Sequence, residues 1–133
     1  TEFLYLDEIN HQIATLGEGK NEKNKIQILT KTLDSFNLNR IDGIKIDVEG
    51  HELHVIKGAI KTLTNHKPWL VIEMNNSFNK IQSISQWDVS QLLIKLGYKT
   101  NFNISEKLDS TICLDIIFYH PFNSTSKDFP PFL

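Results

Sequence analysis

The chain has 133 residues, a formal net charge of −2 at pH 7, 40% hydrophobic residues and 23% charged residues. This length and composition are those of about one ordinary globular domain with a closed core. The basic residues are scattered along the chain, whereas a nucleic-acid-binding face needs concentrated positive charge, so we expect no nucleic-acid partner. No stretch reaches the roughly 18 apolar residues of a membrane span, so we expect none. No signal peptide is recognisable.

The single cysteine, Cys113, cannot form an intramolecular disulfide. Nothing therefore indicates an oxidising compartment, and we expect a cytoplasmic protein. We expect the thiol to pack within a strand rather than to attack a substrate.

The first third of the chain predicts two strands separated by a loop. The segment FLYLD, Phe3 to Asp7, is a short strand candidate, and the polar, glycine-containing residues 11–24 indicate a surface loop. Lys25 to Leu33 alternates, with β-branched residues on one face, and predicts a second strand. Asp34 or Ser35 is expected to cap a short turn after it.

The centre of the chain predicts a strand that turns at once into a helix. Ile41 to Val48 ends in an apolar run, and Gly50 allows a sharp turn. From Glu52 to Leu63 the apolar residues recur every three or four positions, as in an amphipathic helix. Pro68 lies beyond its expected end.

The remaining segments complete an α/β pattern. Trp69 to Asn75 is a continuous apolar run, typical of a strand covered on both faces. A helix is expected from Trp87 or Asp88 to Leu96, a weak strand over residues 98–104, and a strong strand from Ser110 to His120. Residues 121–133 are expected to be an irregular tail. The order from Ile41 predicts a doubly wound sheet that ends in an antiparallel strand pair.

The central strand ends in the sequence DVEGHE, residues 47–52, which concentrates three acids and a histidine. Ligands bind at the carboxyl ends of the strands in such sheets, and Glu73 closes the neighbouring strand at the same rim. We therefore expect one crevice to gather five side chains: Asp47, Glu49, His51, Glu52 and Glu73. The alternative is structural, because acids also cap helices and favour their first turn.

The string DGIKIDVEGHE, followed by VIKGA and then PWLVIE, resembles the C-terminal half of the FkbM family of S-adenosylmethionine-dependent methyltransferases. The upstream TKTLD resembles the segment that precedes this motif in the family. The resemblance implies that residues 1–120 form part of a Rossmann-like methyltransferase sheet, parallel strands with helices and a C-terminal antiparallel strand pair. It also implies S-adenosylmethionine as cofactor, and methyl transfer to a hydroxyl of a sugar or secondary metabolite.

The resemblance assigns roles to the acidic crevice. His51 is the first candidate for the general base, because an imidazole titrates near neutral pH. Asp47 and Glu49 are rivals for that role or orient the cofactor, and Glu52 completes the catalytic candidates. Glu73, with Asn75, is expected to bind the hydroxyl of a small-molecule or glycan acceptor. No metal is expected.

The glycine-rich cofactor loop of the family has no counterpart, since Gly17 and Gly19 neither follow a convincing strand nor open a helix. We therefore expect a fragment that lacks the N-terminal cofactor-binding half and pairs with that half or with a second chain. Two rival interpretations remain open. One is a non-catalytic remnant or interaction domain, and the other is a metal-dependent glycosyltransferase that uses Asp47 and Glu49.

Overall fold

The computed structural model describes the backbone of residues 2–6, 14–16 and 25–123, and the side chains of residues 26–123. The chain forms two compact units, Thr1–Thr32 and Leu33–Leu133. In the part of the chain so described, no helix is both long enough and apolar enough to cross a membrane.

The first unit carries a three-stranded antiparallel sheet in the order β2-β1-β3. Its strands are β1 (Glu2–Leu6), β2 (Ala14–Leu16) and β3 (Lys25–Ile28). The two predicted strands are confirmed, although β3 is shorter than expected. The loop prediction was wrong at Ala14–Leu16, because these residues pair with β1, a non-local contact that composition does not reveal. The rest of that predicted loop lies outside the described residues.

The second unit is built on a four-stranded mixed sheet in the order β4-β5-β7-β6. Its strands are β4 (Gly43–Ile46), β5 (Trp69–Asn75), β6 (Lys99–Thr100) and β7 (Cys113–Tyr119). Strands β4 and β5 are parallel, and β7 runs antiparallel to both β5 and β6. The predicted α/β class and the terminal antiparallel pair are confirmed, but the weak strand at residues 98–104 shrinks to two residues.

Within the described residues, four helices accompany this sheet. They are α1 (Glu52–Lys57), α2 (Ile60–His66), α3 (Asn76–Asn79) and α4 (Asp88–Lys95), with 3-10 turns at Leu33–Phe36 and Ile84–Gln86. The expected helix from Glu52 is therefore two helices that break at Gly58 and Ala59. Helix α4 is confirmed and Gly97 follows its end with φ 90°, whereas α3 was not foreseen. Of the predicted irregular tail, residues 124–133 lie outside the described residues.

Strand β5 forms the centre of the core, and its residues alternate in exposure. Leu70, Ile72 and Met74 are fully buried on the face that joins the core with the helix residues Ile56 and Leu93. The other residues of β5 are half-buried, so the strand predicted to be covered on both faces is covered fully on one face and partly on the other. A half-open face allows polar side chains to lie at the end of an otherwise apolar strand.

Candidate functional site

Three carboxylates meet where β4 and β5 end. Asp47, Glu49 and Glu73 each place an oxygen within 4.8 Å of the others. The parallel register pairs Ile46 with Ile72, so Asp47 lies level with Glu73 at the carboxyl edge of the sheet. We call these three residues the carboxylate cluster.

The turn after β4 brings the third acid back to the sheet edge. Glu49 has φ 49° and Gly50 has φ 90°, so two successive residues occupy the left-handed region. This conformation costs an L-residue with a Cβ roughly 1–2 kcal/mol, whereas glycine adopts it freely. The turn thus places Glu49 beside Asp47 at the expense of backbone strain. Non-glycine strain of this kind is concentrated at functional sites.

The cluster is electrostatically strained as well. Partial burial raises the pKa of Glu73, and the negative charge of Asp47 raises it further, followed by a smaller contribution from Glu49. A hydrogen bond with the Cys113 thiol opposes these effects. Crowded carboxylates resist full ionisation, so this group favours a bound cation, a shared proton or a hydroxyl donor.

Cys113 begins β7 and opposes Asn75 of β5 in the antiparallel register. The expected strand position is confirmed, but the side chain is exposed rather than packed. Partial desolvation and the charge of Glu73 raise the pKa of the thiol, which keeps it protonated as a hydrogen-bond donor. The sequence alone does not link Cys113 with Glu73, because the β5–β7 pairing joins segments that are far apart in the chain.

Glu52 lies outside the carboxylate cluster. Its side chain is only 3% exposed, and its Oε1 accepts a hydrogen bond from the N–H of Gly50 at 2.9 Å. A first-turn glutamate that reaches back in this way holds the entry to a helix, as in a capping box. For Glu52, the geometry therefore favours the structural alternative.

His51 occupies the position before α1 and is half-buried, and it too lies outside the cluster. Its ring centroid is 5.7 Å from that of His54. The Nδ1 atom is buried and has no hydrogen-bond partner within residues 26–123. In a histidine that acts as a base, one ring nitrogen ordinarily forms a hydrogen bond with a neighbouring group. That bond orients the ring and leaves the other nitrogen free to accept a proton. His51 lacks that orienting contact in the described part.

Asn75 ends β5 and caps the short helix α3. Its Oδ1 accepts hydrogen bonds from the N–H of Ser77 at 3.1 Å and from the Ser77 hydroxyl at 2.5 Å. The expected acceptor-binding asparagine thus has its side-chain oxygen engaged locally. Of the other histidines in the described part, His54 is exposed, His66 is half-buried and His120 is buried.

Comparison with known families decides the class of protein to which this site belongs. The family model described as the methyltransferase FkbM domain matches residues 2–100. The chain belongs to the FkbM methyltransferase family. The family resemblance seen in the DVEGHE region is confirmed, and the match extends over the first unit as well. No curated protein and no solved structure shows significant similarity to the chain.

Proposed function

We propose that this FkbM-family chain takes part in S-adenosylmethionine-dependent transfer of a methyl group to a hydroxyl of a small-molecule or glycan acceptor. The carboxylate cluster at the carboxyl ends of β4 and β5 is the observation that carries this proposal. In open α/β sheets, that edge is where ligands bind.

The cluster suits a cationic cofactor. S-adenosylmethionine supplies an electrophilic methyl group on a positively charged sulfonium and also carries an ammonium group. Negative charge concentrated by Asp47 and Glu49 would attract these cations. We assign cofactor orientation to Asp47 and Glu49.

We assign the acceptor-facing role to Glu73. A base works best when its pKa approaches the operating pH, and both burial and neighbouring charges raise the pKa of Glu73 in that direction. Its carboxylate can accept the proton of an acceptor hydroxyl, while the Cys113 thiol donates a hydrogen bond that orients it. His51 remains the rival base. In this assignment Glu52 holds the turn and Asn75 holds the entry to α3.

The sheet order supports a partial Rossmann-like methyltransferase sheet. Within the described residues β4 pairs only with β5, so its other edge offers unpaired backbone groups. We propose that this edge receives a strand of a cofactor-binding half or of a second chain, which would complete the pocket above Asp47.

The first test is calorimetric titration of the chain with S-adenosylmethionine and S-adenosylhomocysteine in the presence of EDTA. Asp47→Asn and Glu49→Gln should each weaken cofactor binding by up to about fivefold, the loss of one partly exposed charge contact. Glu73→Gln should leave cofactor binding within about twofold but lower methyl transfer by about 10² or more, the contribution of a positioned base.

Asp115→Asn is the matched control. Asp115 opposes Glu73 in the β5–β7 register and is half-exposed beside Lys45, but it lies outside the carboxylate cluster. Equal losses in Asp115→Asn and the cluster variants would show only a general charge effect and would contradict the assignment. Loss of transfer in His51→Ala but not in Glu73→Gln would move the base to His51.

The spacing of the carboxylate cluster also favours a second candidate, metal-dependent glycosyl transfer. Three carboxylate oxygens within 4.8 Å of one another could hold Mg²⁺ or Mn²⁺ against a sugar-nucleotide diphosphate. This function requires a cation-dependent rise in melting temperature that Glu73→Gln abolishes. Methyl transfer that proceeds in EDTA would exclude it.

A further inference from the structure

A cavity of about 340 Å³ opens immediately beyond the carboxyl end of β5. Its walls come from the residue that follows β5 and from two segments, residues 80–82 and 107–110. Ligand pockets typically span about 300–1,000 Å³, so this one has room for a small group rather than for a whole cofactor.

A buried asparagine fixes both walls. Asn76 is 1% exposed, and its side-chain amide donates to the carbonyl oxygens of Ile81 at 2.9 Å and Asp109 at 2.8 Å. Its Oδ1 accepts the N–H of Ile81 at 2.8 Å. The walls also bond directly, since the N–H of Leu108 donates to the carbonyl of Gln82 at 2.8 Å. The cavity is therefore held open by protein contacts.

Positive charge lines this cavity from both sides. Lys80 and Lys107 come from opposite walls, and neither forms an ion pair within residues 26–123. The Ser110 hydroxyl likewise has no hydrogen-bond partner there. The carboxylate of neighbouring Asp109 is engaged by the N–H and hydroxyl of Thr111, at 2.8 and 2.6 Å. Two ammonium groups and a hydroxyl thus remain as hydrogen-bond donors, and such donors can bind an anion.

The floor of the cavity is apolar. Leu108 is buried and Ile81 is half-buried, and both line the cavity together with the two lysines. Apolar side chains of this kind can pack against the C–H groups of a sugar ring while the lysines bind its charged substituent.

The cavity and the carboxylate cluster lie at the same end of β5, three residues apart along the chain. A strand advances about 3.3 Å per residue, so Asn76 lies roughly 10 Å along the chain from Glu73. Resting on the methyl transfer proposed above, we infer that this cavity binds the anionic substituent, phosphate or carboxylate, of the acceptor. The acceptor class is then an acidic sugar, phosphorylated or uronic, whose hydroxyl reaches Glu73.

The test is calorimetric titration of the chain, at low ionic strength, with glucose 6-phosphate, glucuronate and glucose as probes. We expect the two anions to bind with Kd of about 1 mM and glucose not to bind. Added salt should lower the affinity for the anions, because it screens the charges. The Lys80→Gln/Lys107→Gln variant should lose about tenfold in affinity, since each exposed charge contact is worth up to about 1 kcal/mol. The better of the two anions identifies the substituent as phosphate or carboxylate.

The matched control is Lys95→Gln/Lys99→Gln, which removes two exposed lysines that do not line the cavity. Equal binding of glucose and glucose 6-phosphate would overturn the inference, and so would equal losses in the two double variants. S-adenosylhomocysteine titrated into the same samples separates the two proposals. Sugar phosphate binding without cofactor binding would leave the anion site standing and would contradict cofactor binding by this chain alone, whereas cofactor binding without sugar phosphate binding would refute only the anion site.

Discussion

Asp34 caps a helix that begins more than twenty residues after it. Its carboxylate accepts the backbone N–H groups of Thr62 at 2.8 Å and Lys61 at 3.0 Å. These belong to the first turn of α2, whose N-cap residue, Ala59, has no side-chain acceptor for them. The N–H of Asp34 also donates to the carbonyl of Gly58 at 3.0 Å. Asp34 thus joins the start of the second unit to the break between α1 and α2.

Asp34→Ala should lower the free energy of unfolding by about 1 kcal/mol, the usual effect of losing a helix cap. Urea denaturation monitored by circular dichroism measures this change. Asp42→Ala is the matched control, because Asp42 forms an exposed ion pair with Arg40, and such pairs contribute little. An equal effect of the two substitutions would contradict the capping role.

The same cap predicts a loss of stability in acid. Burial alone would raise the pKa of Asp34, but the hydrogen bonds from Thr62 and Lys61 outweigh it and lower the pKa. The carboxylate therefore stabilises the fold fully above its unfolded pKa of about 3.9, and this contribution disappears as the pH falls through the lower folded pKa. Asp34→Asn keeps a neutral cap, so its stability should lack this acid-dependent component. Urea titrations between pH 2 and 5, roughly the range set by those pKa values, compare the two proteins.

Gly97 should not tolerate a side chain. It has φ 90°, and an added Cβ would lie 2.8 Å from Nε2 of His120. Gly97→Ala should cost at least about 1 kcal/mol from the backbone alone, with the steric clash in addition. Gly43→Ala is the control, since the nearest atom to its Cβ would be the Trp69 carbonyl oxygen at 3.7 Å. In thermal unfolding, Gly97→Ala should have a much lower melting temperature than Gly43→Ala. The reverse order of melting temperatures would refute this account.

His120 should make the fold sensitive to mild acid. The side chain is 8% exposed, and its Nδ1 accepts the N–H of Phe122 at 3.2 Å. Burial lowers the pKa of His120, as does the charge of Lys67, against a smaller opposing effect of the backbone hydrogen bond with Leu96. Below the unfolded pKa of about 6.5 the unfolded chain binds a proton that the folded chain resists, so stability falls as the pH decreases.

Unfolding free energies measured between about pH 5 and 8, on either side of that unfolded pKa, test this prediction. His120→Gln should flatten the decrease below about pH 6.5, and His54→Gln, which changes an exposed histidine, should not. Identical pH profiles for the native chain and His120→Gln would rule out His120 as the source.

Local pattern predicted much of the second unit. The apolar run Trp69–Asn75 and the periodic helix Asp88–Lys95 were both found where the sequence indicated them, because a strand or helix with a strong pattern is decided by its own residues. The break at Gly58 was missed, since the apolar spacing continues across it. The cap that allows α2 to restart comes from Asp34, and a contact over that separation leaves no local signal.

All three members of the carboxylate cluster were expected in one crevice, together with two side chains that lie outside it. Asp47 and Glu73 could be brought together by topology alone, because both follow parallel strands to one edge. Glu49 was expected beside Asp47 as a continuation of the strand, but it reaches that position through a left-handed turn. Glu52 and His51 lie next to them in sequence yet fall outside the cluster, and Glu52 instead accepts the N–H of Gly50.

Glu73 should lower the free energy of unfolding of the protein at neutral pH. Burial and the charges of Asp47 and Glu49 raise its pKa, so the folded state holds a proton more tightly than the unfolded state does. Above the unfolded pKa of about 4.3, folding therefore works against ionisation of Glu73, and stability declines as the pH rises from there through the folded pKa. Glu73→Gln removes this opposition and should be more stable than the native chain at neutral pH. The gain should vanish below about pH 4, where the native carboxyl is protonated in both states.

Urea denaturation at neutral and acidic pH, with Asp115→Asn as the control outside the cluster, measures the difference. A glutamine that stabilises the fold but abolishes methyl transfer would show that Glu73 is retained for chemistry, whereas a destabilising glutamine would show that it is retained for structure.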